Sequence, residues 1–279
     1  MTRLARAGIW LAWPVGLALA LGHLLGGLLS DPLFLVVDLV YVAAVAVAVR
    51  LGAATRDRVG LTLLGAGVGI FALASLTGAP TADRPTAMLL NGAALLAAAI
   101  TLMAGAAALA YRTRDLPALL GLVALAVGSA GYLLNLLARW AVVLSGAAPQ
   151  QAAVEDRAWI ASAYLRGLDG APDPVALLLV WLDLVQVAYL VLAYLAFAAL
   201  ATSVGRSGAV SARAARAIAV TGYAAAGIVV VSAALAAYLP APLQGIAAEA
   251  AFVLTIPFMS TLVPALLGSA MLVRADRPG

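Results

Sequence analysis

The sequence contains no cysteine, no lysine and a single histidine, His23. Without cysteine the chain has no disulfide, thiolate metal site, iron–sulfur ligand or cysteine nucleophile. One histidine excludes bis-histidine haem ligation and multi-histidine zinc sites within the chain. The absence of lysine excludes a Schiff-base lysine. We therefore expect no cofactor.

Charge is also scarce. Charged residues make up 10% of the 279 residues, hydrophobic residues make up 65%, and the mean hydropathy is +1.09. A soluble domain is roughly a quarter charged, so this composition predicts that the lipid bilayer is the main solvent. The net charge of +4 would raise the question of nucleic acid in a soluble protein. Here the arginines lie in short loops between apolar runs, and we expect no nucleic-acid partner.

The apolar runs predict an all-α, polytopic transmembrane helix bundle that forms a single integral membrane domain over residues 1–279. A helix needs about 20 apolar residues to cross the hydrocarbon, so the chain has room for about eight crossings. The predicted segments are 7–29, 32–49, 59–77, 88–111, 117–145, 174–202, 214–239 and 245–273. The one long outer loop, 146–173, has amphipathic helical spacing and predicts a short surface helix that caps the bundle or covers a ligand.

The arginines predict the orientation. With eight crossings, twelve of the sixteen arginines fall on one side, which the positive-inside rule assigns to the cytoplasm. We therefore expect a multi-pass protein of the cell (inner) membrane with both termini in the cytoplasm. The twelve are Arg3, Arg6, Arg50, Arg56, Arg58, Arg112, Arg114, Arg206, Arg213, Arg216, Arg274 and Arg277.

The first segment has a second interpretation. Its basic start and the sequence Ala18-Leu19-Ala20 resemble a secretory signal, and cleavage after Ala20 would leave seven helices. The apolar run continues through Leu29, which favours an ordinary first helix.

An internal similarity links the second and sixth segments. Residues 38–43 read DLVYVA and residues 183–188 read DLVQVA, and each segment begins with an Asp-Pro pair. This predicts two parallel four-helix halves, 1–115 and 116–279, related by an axis along the membrane normal. Chance similarity in a chain rich in leucine, alanine and valine is the alternative.

The polar residues within the apolar segments lie mainly in their predicted outer halves. Ionisable groups are costly in lipid and by default mark a functional site, so we predict an acid-lined cavity open to the outer side that binds a ligand or ion. The candidates are Asp38, Asp183, Glu249, Arg139, His23, Gln186, Asn91 and Asn135. No metal is assigned.

Each candidate also has a structural interpretation. Asp38 and Asp183 could pair with Arg139 and join helices without binding a ligand. Glu249 is near enough to a segment end to reach the interface. His23 is typical of a hydrogen-bonded packing residue. The glycines at 65, 67 and 69 resemble part of a phosphate loop, but they lie in an apolar helix with no lysine after them and instead predict close helix packing.

Three functions remain, in this order. The first is a small transporter or permease-like protein coupled to a proton or cation. The second is a non-catalytic membrane sensor or anchoring subunit of a larger complex. The third is an intramembrane enzyme that acts on a lipid-linked substrate. The expected partners are the lipid bilayer, a solute or cation, and a second copy or another membrane subunit.

Overall fold

The fold is that of a computed structural model, which describes residues 57–69, 85–144, 174–235 and 257–275, with single positions at 36, 39, 40, 43, 240, 243 and 254. Within these residues the chain forms helices and no strand. The helices are α1 (Arg58–Leu64), which continues as a π-helical turn (Gly65–Gly69), α2 (Pro85–Thr113), α3 (Leu116–Leu144), α4 (Pro174–Arg206), α5 (Ala212–Leu235) and α6 (Pro257–Ala275).

Four of these helices are long and apolar enough to cross a membrane. Each spans 23 or 26 residues, more than the roughly 20 predominantly apolar residues that a crossing needs, and together they indicate a multi-pass membrane protein. The apolar stretches are Met88–Thr113, Leu116–Ala141, Leu184–Arg206 and Ala212–Ala234. A shorter apolar helix, Thr261–Ala275, lies in α6.

The described helices coincide with six of the predicted segments in whole or in part. Those at 88–111, 117–145, 174–202 and 214–239 correspond to α2, α3, α4 and α5. Those at 59–77 and 245–273 are described over α1 with its π turn and over α6. The segment at 32–49 is helical at its four described positions, whereas 7–29 and the loop 146–173 lie outside the described residues.

The contact between α3 and α4 is the most extensive in this part of the chain. Six buried positions of α3 alternate in steps of three and four residues: Ala118, Gly121, Leu125, Gly128, Tyr132 and Asn135. This 3.5-residue period is the pattern of knobs-into-holes packing with a left-handed twist. We call this row the α3 seam.

The glycines of the α3 seam let the two backbones approach closely. A Cβ added at Gly121 would lie 2.8 Å from the carbonyl oxygen of Ala196. One added at Gly128 would lie 3.2 Å from the Cβ of Leu192. Small residues have this use in membranes, where helices gain nothing by hiding apolar surface from lipid. Later positions on α3 meet earlier positions on α4, so the pair is antiparallel.

Two aspartates join helix ends at one end of the bundle. Asp57 caps α1 by accepting from the Gly60 N–H at 3.0 Å, and it forms an ion pair with Arg112 at 3.5 Å. Asp115 caps α3 by accepting from the Ala118 N–H at 3.2 Å. Capping satisfies backbone N–H groups that the first helical turn leaves without partners.

Further bonds at the same end connect α4, α5 and α6. Asp115 accepts from the Ser203 hydroxyl of α4 and lies 3.9 Å from Arg206. The Arg274 Nε–H donates to the Gly208 carbonyl in the turn after α4 at 2.8 Å. Those arginines predicted to share one side that the structure describes therefore meet at one end, which we call the arginine-rich end. Its described members are Arg58, Arg112, Arg114, Arg206, Arg213, Arg216 and Arg274.

Helices α1 and α6 also approach closely through glycine. A Cβ at Gly268 would lie 2.6 Å from the carbonyl oxygen of Gly60 and 2.7 Å from the amide nitrogen of Leu64. The predicted packing role of the 65–69 glycines is confirmed at Gly67, where a Cβ would lie 2.9 Å from the Thr261 carbonyl oxygen. Among the described atoms, none lies within 4 Å of a Cβ at the other two glycines.

Replacing Gly268 with alanine should destabilise the protein. The new methyl group would meet backbone atoms of α1, which cannot rotate away, so we expect a loss of about 1–3 kcal/mol in the free energy of unfolding. Gly227→Ala is the matched control, since no described atom lies within 4 Å of its Cβ position. Reversible unfolding in mixed detergent, followed by circular dichroism, would measure both variants. Equal stability of the two would show that the α1–α6 approach is not close.

Replacing Asp115 should reveal which of its contacts matters. An asparagine side chain would retain the cap and an acceptor for Ser203. Asp115→Asn would lose only the ion pair with Arg206, which is long and largely exposed, and such pairs contribute about 0–1 kcal/mol to the free energy of unfolding. Asp115→Ala removes the cap and the acceptor, and we expect a loss of about 1–2 kcal/mol. The same unfolding measurement compares the variants. Equal losses would place the stabilisation in the ion pair instead.

Candidate functional site

A polar pair lies on α3 toward the end opposite the arginine-rich end. Asn135 is fully buried, and its Nδ2 group donates a hydrogen bond to the carbonyl oxygen of Leu182 on α4. Its Oδ1 atom accepts from the Arg139 Nε–H at 3.1 Å. The Asn135 amide thus connects a neighbouring helix on one side with a guanidinium on the other.

The α3 seam determines where this pair stands. Asn135 occupies the sixth position of the seam, and Arg139 follows one turn later, so both side chains lie on the same face of α3. At 1.5 Å per residue, Asn135 is ~28 Å and Arg139 ~35 Å from Leu116 along the helix axis. The hydrocarbon core is about 30 Å thick. Measured from Leu116, where the apolar stretch of α3 begins, Asn135 falls within one core thickness and Arg139 falls slightly beyond it, near the boundary.

The position of Arg139 near the end of α3 determines what its guanidinium group can contact. A guanidinium near the boundary can reach interfacial water with its distal nitrogens while its stem stays among apolar groups. Arg139 is half-buried, and the bond to Asn135 fixes its Nε atom. The pair therefore holds a permanent positive charge in a defined direction near one end of α3.

Two stacked tyrosines fill the next layer toward the centre of the bundle. The rings of Tyr132 on α3 and Tyr189 on α4 have centroids 4.4 Å apart and an interplanar angle of 14°. Both residues are buried. Aromatic contacts of this kind add stability beyond the area that they bury. The stack borders the polar region on the side of the bundle centre. From the stack toward the arginine-rich end, the α3 seam continues with Gly128, Leu125, Gly121 and Ala118.

A third contact brings α2 to the same end. The indole of Trp140 packs over Gly92, where an added Cβ would lie 2.6 Å from Nε1. Asn91 directly precedes Gly92, and Arg139 directly precedes Trp140. Helices α2, α3 and α4 therefore all contribute to the end at which the polar pair stands.

The predicted site residues divide into two groups. Within the described part of the chain, Asn135 and Arg139 are bonded to each other, and half-buried Asn91 and Gln186 stand on α2 and α4. The backbone of Asp183 belongs to α4 and follows Leu182, the acceptor of the Asn135 bond. The side chain of Asp183 and the whole of Asp38, Glu249 and His23 lie outside the described residues. So does the predicted cavity that they would line.

Metal ligation has no support in this region. Among the described residues, no three histidine, cysteine, aspartate or glutamate side chains come together.

Several residues that hold this structure together were not predicted from the sequence. Tyr132 and Tyr189 are not among the predicted site residues, although the three-and-four spacing that ends at Asn135 predicts that Tyr132 faces a neighbouring helix. Asp57 and Asp115 precede apolar runs, and this is the usual position of a helix-capping aspartate. The serine partner of Asp115 has no such signal, since it lies 88 residues away in the sequence.

Comparisons with protein-family models, curated proteins and solved structures found no match for this chain. The function must therefore be argued from the site and not from kinship.

Replacing Asn135 should weaken the α3–α4 contact. Asn135→Leu keeps a similar volume but removes the bonds to Leu182 and Arg139, and we expect a loss of about 1–2 kcal/mol in unfolding free energy. Ser129→Ala is the matched control on the same helix. The Ser129 hydroxyl oxygen is buried and has no hydrogen-bond partner among the residues that the structure describes, so its removal should be neutral or stabilising. Unfolding in detergent would measure both, and a smaller loss for Asn135→Leu than for Ser129→Ala would contradict this assignment.

Proposed function

We propose that the protein is a small membrane transporter or permease whose solute site lies in the half of the bundle opposite the arginine-rich end. The observation that carries this proposal is the Arg139–Asn135 pair, a charged group held in a fixed direction within a membrane helix. Ionisable groups on membrane helices are rare and commonly mark a solute or proton pathway, and the bond to Asn135 gives this guanidinium a fixed direction.

The complete bundle in this proposal has about eight crossings in two parallel four-helix halves. The arginine-rich end and both termini face the cytoplasm of the cell that holds the protein, in accordance with the positive-inside rule. The solute site then opens to the outer side of the cell membrane, at the interface between the halves.

Every candidate residue except His23 has a role in the proposed site. Asp38 and Asp183 carry a proton or cation, or bind a basic solute, and Arg139 balances their charge when the site is empty. Asn91 and Gln186 orient the solute, and Glu249 stands at the entrance. Asn135 acts as a positioning residue, because both ends of its amide already have partners in the protein.

The same amide also favours a second candidate function. A buried asparagine whose amide donates to a backbone carbonyl of a neighbouring helix is typical of a residue that specifies helix register. A non-catalytic sensor or anchoring subunit would need such a residue and no solute site. The two functions differ in one measurable respect, which is whether the protein retains a small molecule that depends on the charged residues.

Native mass spectrometry of the detergent-purified protein, with nothing added, should detect a small retained mass. We expect that mass in the wild type and in Arg58→Gln, which changes an exposed arginine far from the site. We expect its loss in Asp38→Asn/Asp183→Asn and a marked decrease in Arg139→Gln. The mass would identify the solute, and its uptake into proteoliposomes would separate transport from enzymatic turnover.

Two results would contradict the transporter. The first is the detection of bulk lipid alone on the wild type and on every variant, with no small retained mass. The second is the same protein partner bound to the wild type and to every variant, which would establish the anchoring subunit. Circular dichroism of each variant would confirm that the helices are intact.

A further inference from the structure

The outward side of α5 carries a groove with two arginines at its mouth. The described residues that line it are Ala212, Arg213, Arg216, Ala217 and Val220. Helix α5 packs against α4 through its other side, where a Cβ at Gly222 would lie 2.9 Å from the carbonyl oxygen of Tyr194. The groove therefore faces away from α4, and its wall is almost wholly apolar except for the two guanidinium groups.

The two arginines are available to a ligand. Arg213 and Arg216 are exposed, one turn apart on the same face, and neither forms an ion pair within the described residues. The two carboxylates described at this end are engaged elsewhere: Asp57 contacts Arg112, and Asp115 contacts Arg206 and Ser203. The mouth of the groove thus has concentrated positive charge that these acidic groups do not neutralise.

The position of the arginines on the helix adds to this charge. Both stand in the first two turns of α5, whose N-terminus is capped by Ser211 through a bond from the Ala214 N–H at 3.3 Å. The N-terminal end of a helix carries a partial positive charge, so cationic side chains are unfavourable there and an anion is favourable. An anionic group between Arg213 and Arg216 would remove this conflict.

The wall beyond the arginines is suited to a hydrocarbon chain. Val220 lies seven residues after Arg213, roughly 10 Å deeper along the axis, and 60% of its surface is exposed. The exposed apolar surface continues on this face one turn further at Tyr223 and three turns further at Val231. A charged mouth at the membrane boundary and an apolar track into the core match the two parts of a phospholipid.

We propose that this groove binds one anionic phospholipid, with its phosphate between Arg213 and Arg216 and an acyl chain along Ala217 and Val220. A second copy of the protein is a poorer occupant. Copies with the same membrane orientation would bring the two arginine pairs together across a symmetric contact, and like charges repel. A zwitterionic lipid would leave the arginine charge unbalanced.

Native mass spectrometry with added lipid tests the assignment. The protein is titrated with phosphatidylglycerol and, separately, with phosphatidylcholine of the same acyl chains. We expect tighter binding of phosphatidylglycerol. Each of Arg213→Gln and Arg216→Gln should weaken the binding of phosphatidylglycerol about five-fold, because one arginine near an anionic membrane surface contributes about 1 kcal/mol. The double variant should weaken this binding about thirty-fold.

Two further variants separate the groove from general attraction to the arginine-rich end. Arg58→Gln removes one exposed positive charge from the same end but not from the groove, and should leave lipid affinity unchanged. Ala217→Trp keeps both arginines and fills the apolar wall, and should weaken binding. Thermal unfolding of all variants checks that the fold is retained.

Three outcomes would overturn the proposal. One is an equal affinity for phosphatidylglycerol and phosphatidylcholine. Another is the same loss of affinity in Arg58→Gln as in Arg213→Gln. The third is a wild-type dimer that Ala217→Trp separates, which would make the groove a contact between copies.

Discussion

The antiparallel register of α3 against α4 is the constraint on which the rest of the described structure depends. In lipid, two helices gain no hydrophobic free energy by touching, so their association relies on close packing and hydrogen bonds. The α3 seam supplies the close packing through its glycines. Polar bonds then hold it at both ends, Asp115 with Ser203 at one end and Asn135 with Leu182 at the other. A slide of one helical turn would break both bonds together.

Helix α4 transmits this register to the rest of the bundle. Its side away from α3 packs against α5, and the turn between α4 and α5 accepts a bond from Arg274 at the end of α6. Helix α6 in turn contacts α1 through the Gly60–Gly268 approach. The positions of Arg139 at one end and of the α5 groove at the other thus depend on the same central helix.

The sequence predicts the four candidate membrane helices of the described structure, α2 to α5, because the signal is local. An apolar run longer than a bilayer is thick permits few other structures, and the seven described arginines that were predicted to share one side lie at one end of the bundle. Helix–helix contacts lack such a signal, since nearly every position is apolar and periodicity distinguishes few faces. The α3 seam is recognisable once Asn135 marks one of its positions, but the spacing alone does not single it out.

The candidate site was predictable only in part. Asn135 and Arg139 stand out as polar residues in an apolar helix, and the structure bonds them to each other. The partner of Asn135 on α4 is a backbone carbonyl. Because every residue has one, the sequence does not indicate which carbonyl accepts the bond. The same limit applies to Ser203, whose hydroxyl contacts Asp115 only because the two helices lie in register.

The two ends of the α3–α4 contact also restrict how the protein can change shape. Packed helices in proteins rearrange either by shear, in which one slides along another, or by hinge motion of larger units. A helix pair that is hydrogen-bonded at both ends resists shear, so α3 and α4 should rotate or tilt together as one rigid unit. The bending would then fall on contacts made by other elements, such as the π turn against α6, where Pro264 already interrupts the backbone hydrogen bonding.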